Sequence, residues 1–564
     1  MKFSEFKYER PDMTKIESAF DELIGQFEAA ESAEVQMTIL NQISKLRSQI
    51  ETAENLVHIR HTINTEDAFY DAENDFIDEA MPQYEGMVDK LYKALNDSQY
   101  KEALKATYGE HLFNIVGVKM KTFKPEILED LKAENALASK YVKLRTSAKI
   151  MFEGEERNLA QMTPFYESTD RDIRKAAQEA ATKFFEENEA EFDRIYDELV
   201  KIRHKIALKL GFDNYVELGY LRLSRTDYDH RMVATYRHQV LKDLVPIATK
   251  LKERQRKRLG LEVLAYYDEP IAFTSGNATP KGSPEWILNN GKKMYEELSK
   301  ETGVFFNFMR DTDLMDLEAK KGKAGGGYCT FISDYKAPFI FSNFNGTSGD
   351  IDVLTHEAGH AFQVYQSRNY ELPEYVWPTL EACEIHSMSM EFLTWPWMEL
   401  FFKEDTDKYK FNHLAEALLF IPYGVLVDEF QHYVYENPEV SPADRKAKWA
   451  ELEQKYLPHR NYEENDFLRR GGYWFRQGHI FQDPFYYIDY TLAQVCAFQF
   501  FVKAIHDRDK AWSDYLNLCN KGGSMAFLEL LKVANLSNPF ESGSLRRIMP
   551  DIENWLNSVD DTAL

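Results

Sequence analysis

The sequence predicts a mainly α-helical protein with a small β-sheet, on three observations. Apolar residues recur at helical spacing through most of the chain. β-rich runs are confined to short segments near residues 150, 330 and 340. At 564 residues and 44% hydrophobic, the chain can bury large cores, and its length suggests several domains.

Residues 12–60 read as two amphipathic helices, with Ile16, Phe20, Leu23, Ile24 and Phe27 on one stripe and Ile39, Ile43, Leu46 and Ile50 on the next. Helical patterns continue over 70–108 and 124–139, with breaks expected at Pro82, Asn96-Asp97 and Gly109. The first clear exception is 148–157, a short strand entering a Glu-Gly turn, which predicts a hairpin. Charged helices follow over 169–210, where Gly211 suits a C-cap. The basic run 250–259 reads as the solvated face and last turn of a helix, where cations suit the dipole. Residues 268–284 are rich in Pro, Gly and Ser and read as a loop before a helix over 286–302. The glycine-rich stretch 320–329 lacks the Gly-Lys-Ser/Thr ending of a phosphate loop, so it reads as flexible and not as a nucleotide site. Residues 328–332 and 338–344 predict two strands of a small sheet. The tail over 491–560 is helical again, and 522–527 is expected to open a helix.

The stretch 345–363 contains His356-Glu357-Ala358-Gly359-His360. On a helix, two histidines four apart sit one above the other, so their imidazoles converge on one cation with Glu357 beside it. Zinc in such a site takes three protein ligands and keeps a position for water, whose proton the adjacent carboxylate removes. The helix is supported independently: Thr347 and Ser348 are natural N-caps, Asp350 falls in the first turn, and Ile351, Leu354 and Phe362 repeat at helical spacing. The bland alternative is a pair of unliganded surface histidines. Third-ligand candidates lie over 378–393, where Glu381, Glu384 and Glu391 share a face and His386 is a weaker choice. A metzincin would need Gly at 363 and His at 366, and both positions are Gln. Leu380, Met388, Phe392 and Leu393 surround the glutamates, which argues against a merely solvated face.

These segments resemble the thimet oligopeptidase and oligoendopeptidase F family of zinc peptidases, most closely its short bacterial members of the Pz-peptidase type. The resemblance runs over roughly residues 140–550, is strongest over 316–391, and includes Leu210-Gly211-Phe212-Asp213-Asn214-Tyr215. It implies Glu384 as third ligand, opening a Glu-x-x-Ser-x-x-x-Glu segment that closes on Glu391, and Glu381 as the group orienting the histidines. Many members carry a third His where this chain has Gln363. The fold it implies is two helical lobes around a deep substrate channel, with the small β-sheet next to the zinc helix. Residues 1–140 would be an N-terminal helical region of the distal lobe, and 141–564 the catalytic region contributing to both lobes. The strand over 338–344 would lie at the sheet edge, its backbone free to pair with an extended peptide. Within 469–490, His479 and Tyr490 best match the histidine and tyrosine that face the metal and stabilise the oxyanion, while Tyr486 and Tyr487 stay open by one residue. Against this stands the fact that aromatic clusters are usually core.

The expectation is therefore a zinc metalloendopeptidase of short peptides, with one Zn²⁺ per chain on His356, His360 and Glu384, Glu357 as general base, and Tyr490 with His479 on the oxyanion. The Pz-peptidase likeness points to collagen-derived, proline-containing peptides. A carboxypeptidase or dipeptidyl carboxypeptidase could use the same site, and the remote alternative is an inactive helical peptide-binding protein. A net charge of -25 argues against nucleic acid or anionic membrane as partners. No run approaches about 18 apolar residues, as a membrane span requires. No apolar leader opens the chain, and Cys329, Cys383, Cys496 and Cys519 form no C-x-x-C, so a cytoplasmic protein with reduced thiols is expected. Monomer and small homo-oligomer both remain open.

Overall fold

Periodicity builds the first part of the chain. In the computed structural model, which describes residues 1–564, Phe20, Ile24 and Phe27 of helix Met13–Glu28 bury against Ile39, Leu40 and Ile43 of helix Ala33–Ile63. Met87, Leu91 and Leu95 of helix Ala68–Asp97 complete the contact. Asp12, Ser32 and Asp67 cap the three helices with side-chain oxygens. Pro82 does not break the third helix, which runs through it. One lost backbone bond is outweighed there by an apolar face, Ile77, Tyr84, Met87 and Leu91, that stays buried on both sides of the proline. Gly109 does mark a break, with φ 92° between helices Lys101–Tyr108 and Glu110–Thr122. The small core also takes in Leu112, Phe113 and Val116, and it reaches Leu372 and Tyr375 from far along the chain. Helix Leu128–Thr146 joins the main core instead, through Leu137 and Tyr141. A boundary at residue 140 thus falls inside a helix, and the region with its own core ends near Thr122.

Overall 71% of residues are helical and 4% lie in strands. Strands β1 (Ile150–Phe152) and β2 (Glu155–Arg157) form the hairpin, its turn made by Glu153 and Gly154, both at positive φ. Helix Glu189–Leu210 ends on Gly211 in the left-handed region. The basic run closes helix Val245–Arg258 and is only partly a solvated face. Arg254 and Arg258 both pair with Asp561 and clasp the C-terminal segment, and Lys252 is buried beside Gln255.

Strands β3 (Met315–Glu318), β4 (Tyr328–Ile332) and β5 (Ala337–Phe344) form a sheet in the order β3-β5-β4, with β3 parallel and β4 antiparallel to β5. The strand expected at the edge is therefore the central one. A near-continuous apolar run such as Phe339, Ile340 and Phe341 is what a strand covered on both faces needs, and all three are buried. The free edge near the motif helix belongs to β4.

The glycine stretch between β3 and β4, expected to be flexible, is pinned. The Lys323 ammonium is fully buried, donates to Asp316 and to the carbonyls of Glu318 and Ser342, and lies over the Phe341 ring. The end of helix Ala33–Ile63 is tied to it through Thr65 N to Gly322 O at 2.7 Å and Ala324 N to Thr62 O at 2.8 Å.

The main core is built by the motif helix Gly349–Ser367, the ligand helix Leu380–Leu393, the long helix Thr406–Glu436 and the tyrosine helix Tyr487–His506, which pack on one another. β5 lies against the motif helix. Residues 522–526 form a turn, and the helix starts only at Phe527. A Cβ on Gly523 would come within 2.1 Å of Trp377 O, so the turn exists for close approach rather than as a helix start. All four cysteines are free, and no helix is long and apolar enough to cross a membrane.

Candidate active site

The motif helix is capped differently from expectation. Ser348 occupies the N-cap position, but its hydroxyl makes no cap bond. Asp350 turns back instead and accepts from the backbone of Asn345 and Gly346, both at 2.8 Å. From there Ile351, Leu354, Ala358 and Phe362 face the core, while His356 and His360 project on the other side, ring centres 5.0 Å apart. Between them, Gly359 lies where the motif and ligand helices cross: a Cβ there would stand 2.6 Å from both His386 O and Ser387 Cα. Both contacts are backbone and cannot step aside. Gly359→Ala is expected to cost about 1–3 kcal/mol and to weaken metal retention by spreading the helices. Thermal unfolding with and without metal measures it, and a variant melting and binding like wild type would show that the helices part freely.

That close approach brings Glu384 to the histidines. Its Oε2 lies 3.3 Å from His356 Nε2 and 3.6 Å from His360 Nε2, and the three ligand atoms lie within 4.8 Å of one another. Zinc bonds of about 2.0–2.1 Å in a tetrahedron separate neighbouring ligand atoms by roughly 3.4 Å. Two imidazoles and a carboxylate at these separations fit a divalent zinc ion in both spacing and donor type. Burial alone would raise the Glu384 carboxyl, but His360, His356 and the Tyr486 hydroxyl outweigh it and hold it at about 2, so it is ionised. Tyr486 donates to Glu384 Oε1 at 3.0 Å, and Ser387 donates to Oε2 at 3.1 Å. Burial depresses His360 to about 4, so its imidazole is neutral near pH 7.

One histidine of the pair is held from behind. His356 Nδ1 meets Glu391 Oε1 at 2.7 Å. The carboxylate that meets a histidine of the pair is thus Glu391 and not Glu381. Seven residues bring Glu391 back onto the stripe of Glu384, whereas three residues turn Glu381 about 60° off it. Glu381 is instead fully buried near Arg225 and Asp489, both its oxygens without a hydrogen-bond partner, and its carboxyl is pushed up to about 8 by burial and by Asp489. His386, the weaker ligand candidate, is buried against Tyr515, away from the cluster. Gln363 is buried too and bonds Ser367 and Val376 O, clear of the ligands.

Glu357 is 8% exposed, and its Oε2 has no protein partner. Burial, reinforced by Glu384 and Glu391 against His356, pushes its carboxyl up to about 7, near the range where a carboxylate exchanges protons at neutral pH. Gly327, just before β4, lies over it: a Cβ there would stand 3.7 Å from Glu357 Oε1.

His479, on the short helix Gly478–Gln482, packs among Tyr486, Tyr487 and Tyr490 with ring centres 4.9–5.8 Å away. Tyr423 donates to Gln477 Oε1 at 2.9 Å, so Gln477 turns its Nε2 to His479 Nδ1, also at 2.9 Å. His479 then carries its proton on Nε2, and burial keeps it neutral. Burial and Glu384 raise the Tyr486 and Tyr490 phenols, so both stay protonated donors. The choice left open among the tyrosines thus divides. Tyr486 bonds the ligand carboxylate, while Tyr490, Tyr487 and His479 line a cavity of about 410 Å³ with Met388 and Glu391. Gln477 and His413, which hold His479 and Glu391, carried no signal in the sequence.

The chain is similar to known proteins over most of its length. Residues 3–123 match the peptidase M3 N-terminal domain, and residues 301–550 match peptidase family M3. The chromosomal oligoendopeptidase F of Lactococcus lactis subsp. cremoris is 25% identical over 301 residues, a stretch that spans 51% of this chain and 44% of that protein. An X-ray structure described as an oligoendopeptidase F is 61% identical with a TM-score of 0.95, covering 100% of both chains. Pz peptidase A, solved with an inhibitor, is 60% identical with a TM-score of 0.95 over 100% of both chains. Oligoendopeptidase F from Enterococcus faecium, at 16% identity and TM-score 0.64, shares the fold across 98% of this chain and 99% of its own.

Proposed function

Because this chain belongs to peptidase family M3, with oligoendopeptidase F among its relatives, we propose that it is a zinc-dependent endopeptidase of short peptides. The observation that carries this reading is the convergence of His356 Nε2, His360 Nε2 and Glu384 Oε2 beside an unpartnered oxygen of Glu357. Held by those three residues, Zn²⁺ would supply Lewis-acid polarisation of the scissile carbonyl and a lowered pKa for water. Glu357 takes the proton of the attacking water and delivers it to the leaving nitrogen. Tyr490 Oη and His479 Nε2 donate to the carbonyl oxygen as charge builds on it. Tyr486 keeps Glu384 in place. The edge strand β4, which starts one residue after Gly327, offers its free backbone groups to an extended peptide.

Substrate size follows from the walls. We read the helices over residues 13–122 as the distal wall of a cleft, which includes a cavity of about 460 Å³ lined by Arg47, Asn55 and Lys119 on one side and Thr330, Trp377 and Thr379 on the other. Such a cleft favours extended chains over folded proteins, so selection is by size more than by sequence. Proline-containing peptides, including collagen-derived ones, are the first to try.

The test is mass analysis of short peptides, with free and amidated C-termini, after incubation with zinc-loaded protein. Internal cuts in both sets, abolished by a chelator and restored by zinc, are expected. Cuts confined to free C-termini would make it a carboxypeptidase, and cleavage untouched by chelation would overturn the metal reading. Tyr490→Phe is expected to lower kcat by about 10²–10³-fold with little change in KM, since the lost bond is made chiefly in the transition state. Unchanged kcat in a full progress-curve analysis would remove Tyr490 from that role.

A further inference from the structure

The geometry points to His413 as a positioning residue that, through Glu391, fixes which nitrogen of His356 is offered to the metal. This rests on the reading of the site as a metal centre. His356 Nδ1 lies 2.7 Å from Glu391 Oε1, and Glu391 Oε2 lies 2.8 Å from His413 Nε2. His413 Nδ1 in turn lies 3.2 Å from Trp395 Nε1.

The polarity of this chain is set at its far end. An indole N–H can only donate, so His413 Nδ1 must accept and the His413 proton sits on Nε2. That proton goes to Glu391 Oε2, which anchors the carboxylate so that Oε1 faces His356. Oε1 accepts, so His356 donates from Nδ1, and Nε2, which faces His360 and Glu384, is the nitrogen left for a metal. Three successive bonds thus transmit a choice made by Trp395 to the metal-facing atom.

The chain is also immobilised. Trp395 and His413 are 6% and 9% exposed. The His413 ring stacks on Tyr409 with centres 5.5 Å apart, and Phe392 covers it at 4.9 Å. Tyr409 is fixed by its hydroxyl, which donates to Asp352 at 2.6 Å. Glu391 belongs to the ligand helix and His413 to the long helix, so the long helix, which provides no ligand, helps determine the orientation of one.

A packing role alone predicts that only size and shape at 413 matter. The positioning role predicts that a donor to Glu391 matters. His413→Phe fills the space without a donor, and His413→Gln restores one through its amide. Zinc affinity is measured by competition with a chromogenic chelator, the ligand field from the visible spectrum of the Co²⁺-substituted protein, and packing from the melting temperature of the metal-free protein.

His413→Phe is expected to weaken zinc binding by about 10–100-fold and to change the Co²⁺ spectrum while the metal-free melting temperature stays near wild type. His413→Gln should recover most of the affinity, and Trp395→Phe should show a smaller loss in the same direction. Wild-type zinc affinity in His413→Phe, or equal losses in the Phe and Gln variants, would overturn the proposal. Should His413→Phe not fold, Trp395→Phe decides: unchanged affinity and spectrum there defeat the proposal. Failure of the wild-type protein to bind zinc would instead defeat the metal reading on which it rests.

Discussion

Replacing Glu357 by glutamine is expected to lower peptide hydrolysis by about 10²–10⁴-fold while metal content and melting temperature hold at wild-type values. The side chain keeps its size, so the buried slot beside His356 stays filled. What is lost is the ability to take a proton at an oxygen that burial and neighbouring carboxylates have pushed up to about 7. A neutral amide at this crowded acidic position removes repulsion with Glu384 and Glu391, so the fold should not suffer. Rate measurement beside metal analysis separates the two effects, and near-normal turnover would remove Glu357 from its role.

Glu384→Ala is expected to empty the metal site. Removing the carboxylate takes away one of three converging atoms and strips Tyr486 of its acceptor. Because loss of an outer hydrogen-bond partner alone weakens metal binding by about 10–100-fold, loss of a ligand should exceed that. Zinc per chain after dialysis, read by atomic emission, should fall far below one. A full complement would mean that another group, with Glu391 the nearest carboxylate behind His356, has taken the position.

The histidine pair was legible because a single helix sets its geometry: residues four apart share a face whatever the helix packs against. Glu384 lies on a separate segment, and residue pattern alone left it level with Glu381 and Glu391. Resemblance chose it, and the crossing at Gly359 supplies the physical reason. The exchange of Glu391 for Glu381 was readable in principle, since seven residues return to the stripe of Glu384 and three do not. The parts played by Trp395, His413 and Gln477 were not, because periodicity does not encode which side chains bond one another. The sheet order was misread although its signal was present, since an apolar run with little alternation belongs to a central strand. Hairpin and helix stops were readable because Glu153-Gly154 and Gly211 act through local backbone freedom alone.

The tether between residues 62–65 and the glycine stretch has a mechanical meaning. Thr62 also bonds the Tyr328 hydroxyl at 2.6 Å, so the end of helix Ala33–Ile63 grips the rim strand at its first residue, next to the glycine that overhangs Glu357. Lys323 rivets the other side of that stretch to the sheet. Any displacement of the end of that helix is therefore passed directly to the backbone beside Glu357, with no loop between them to absorb it.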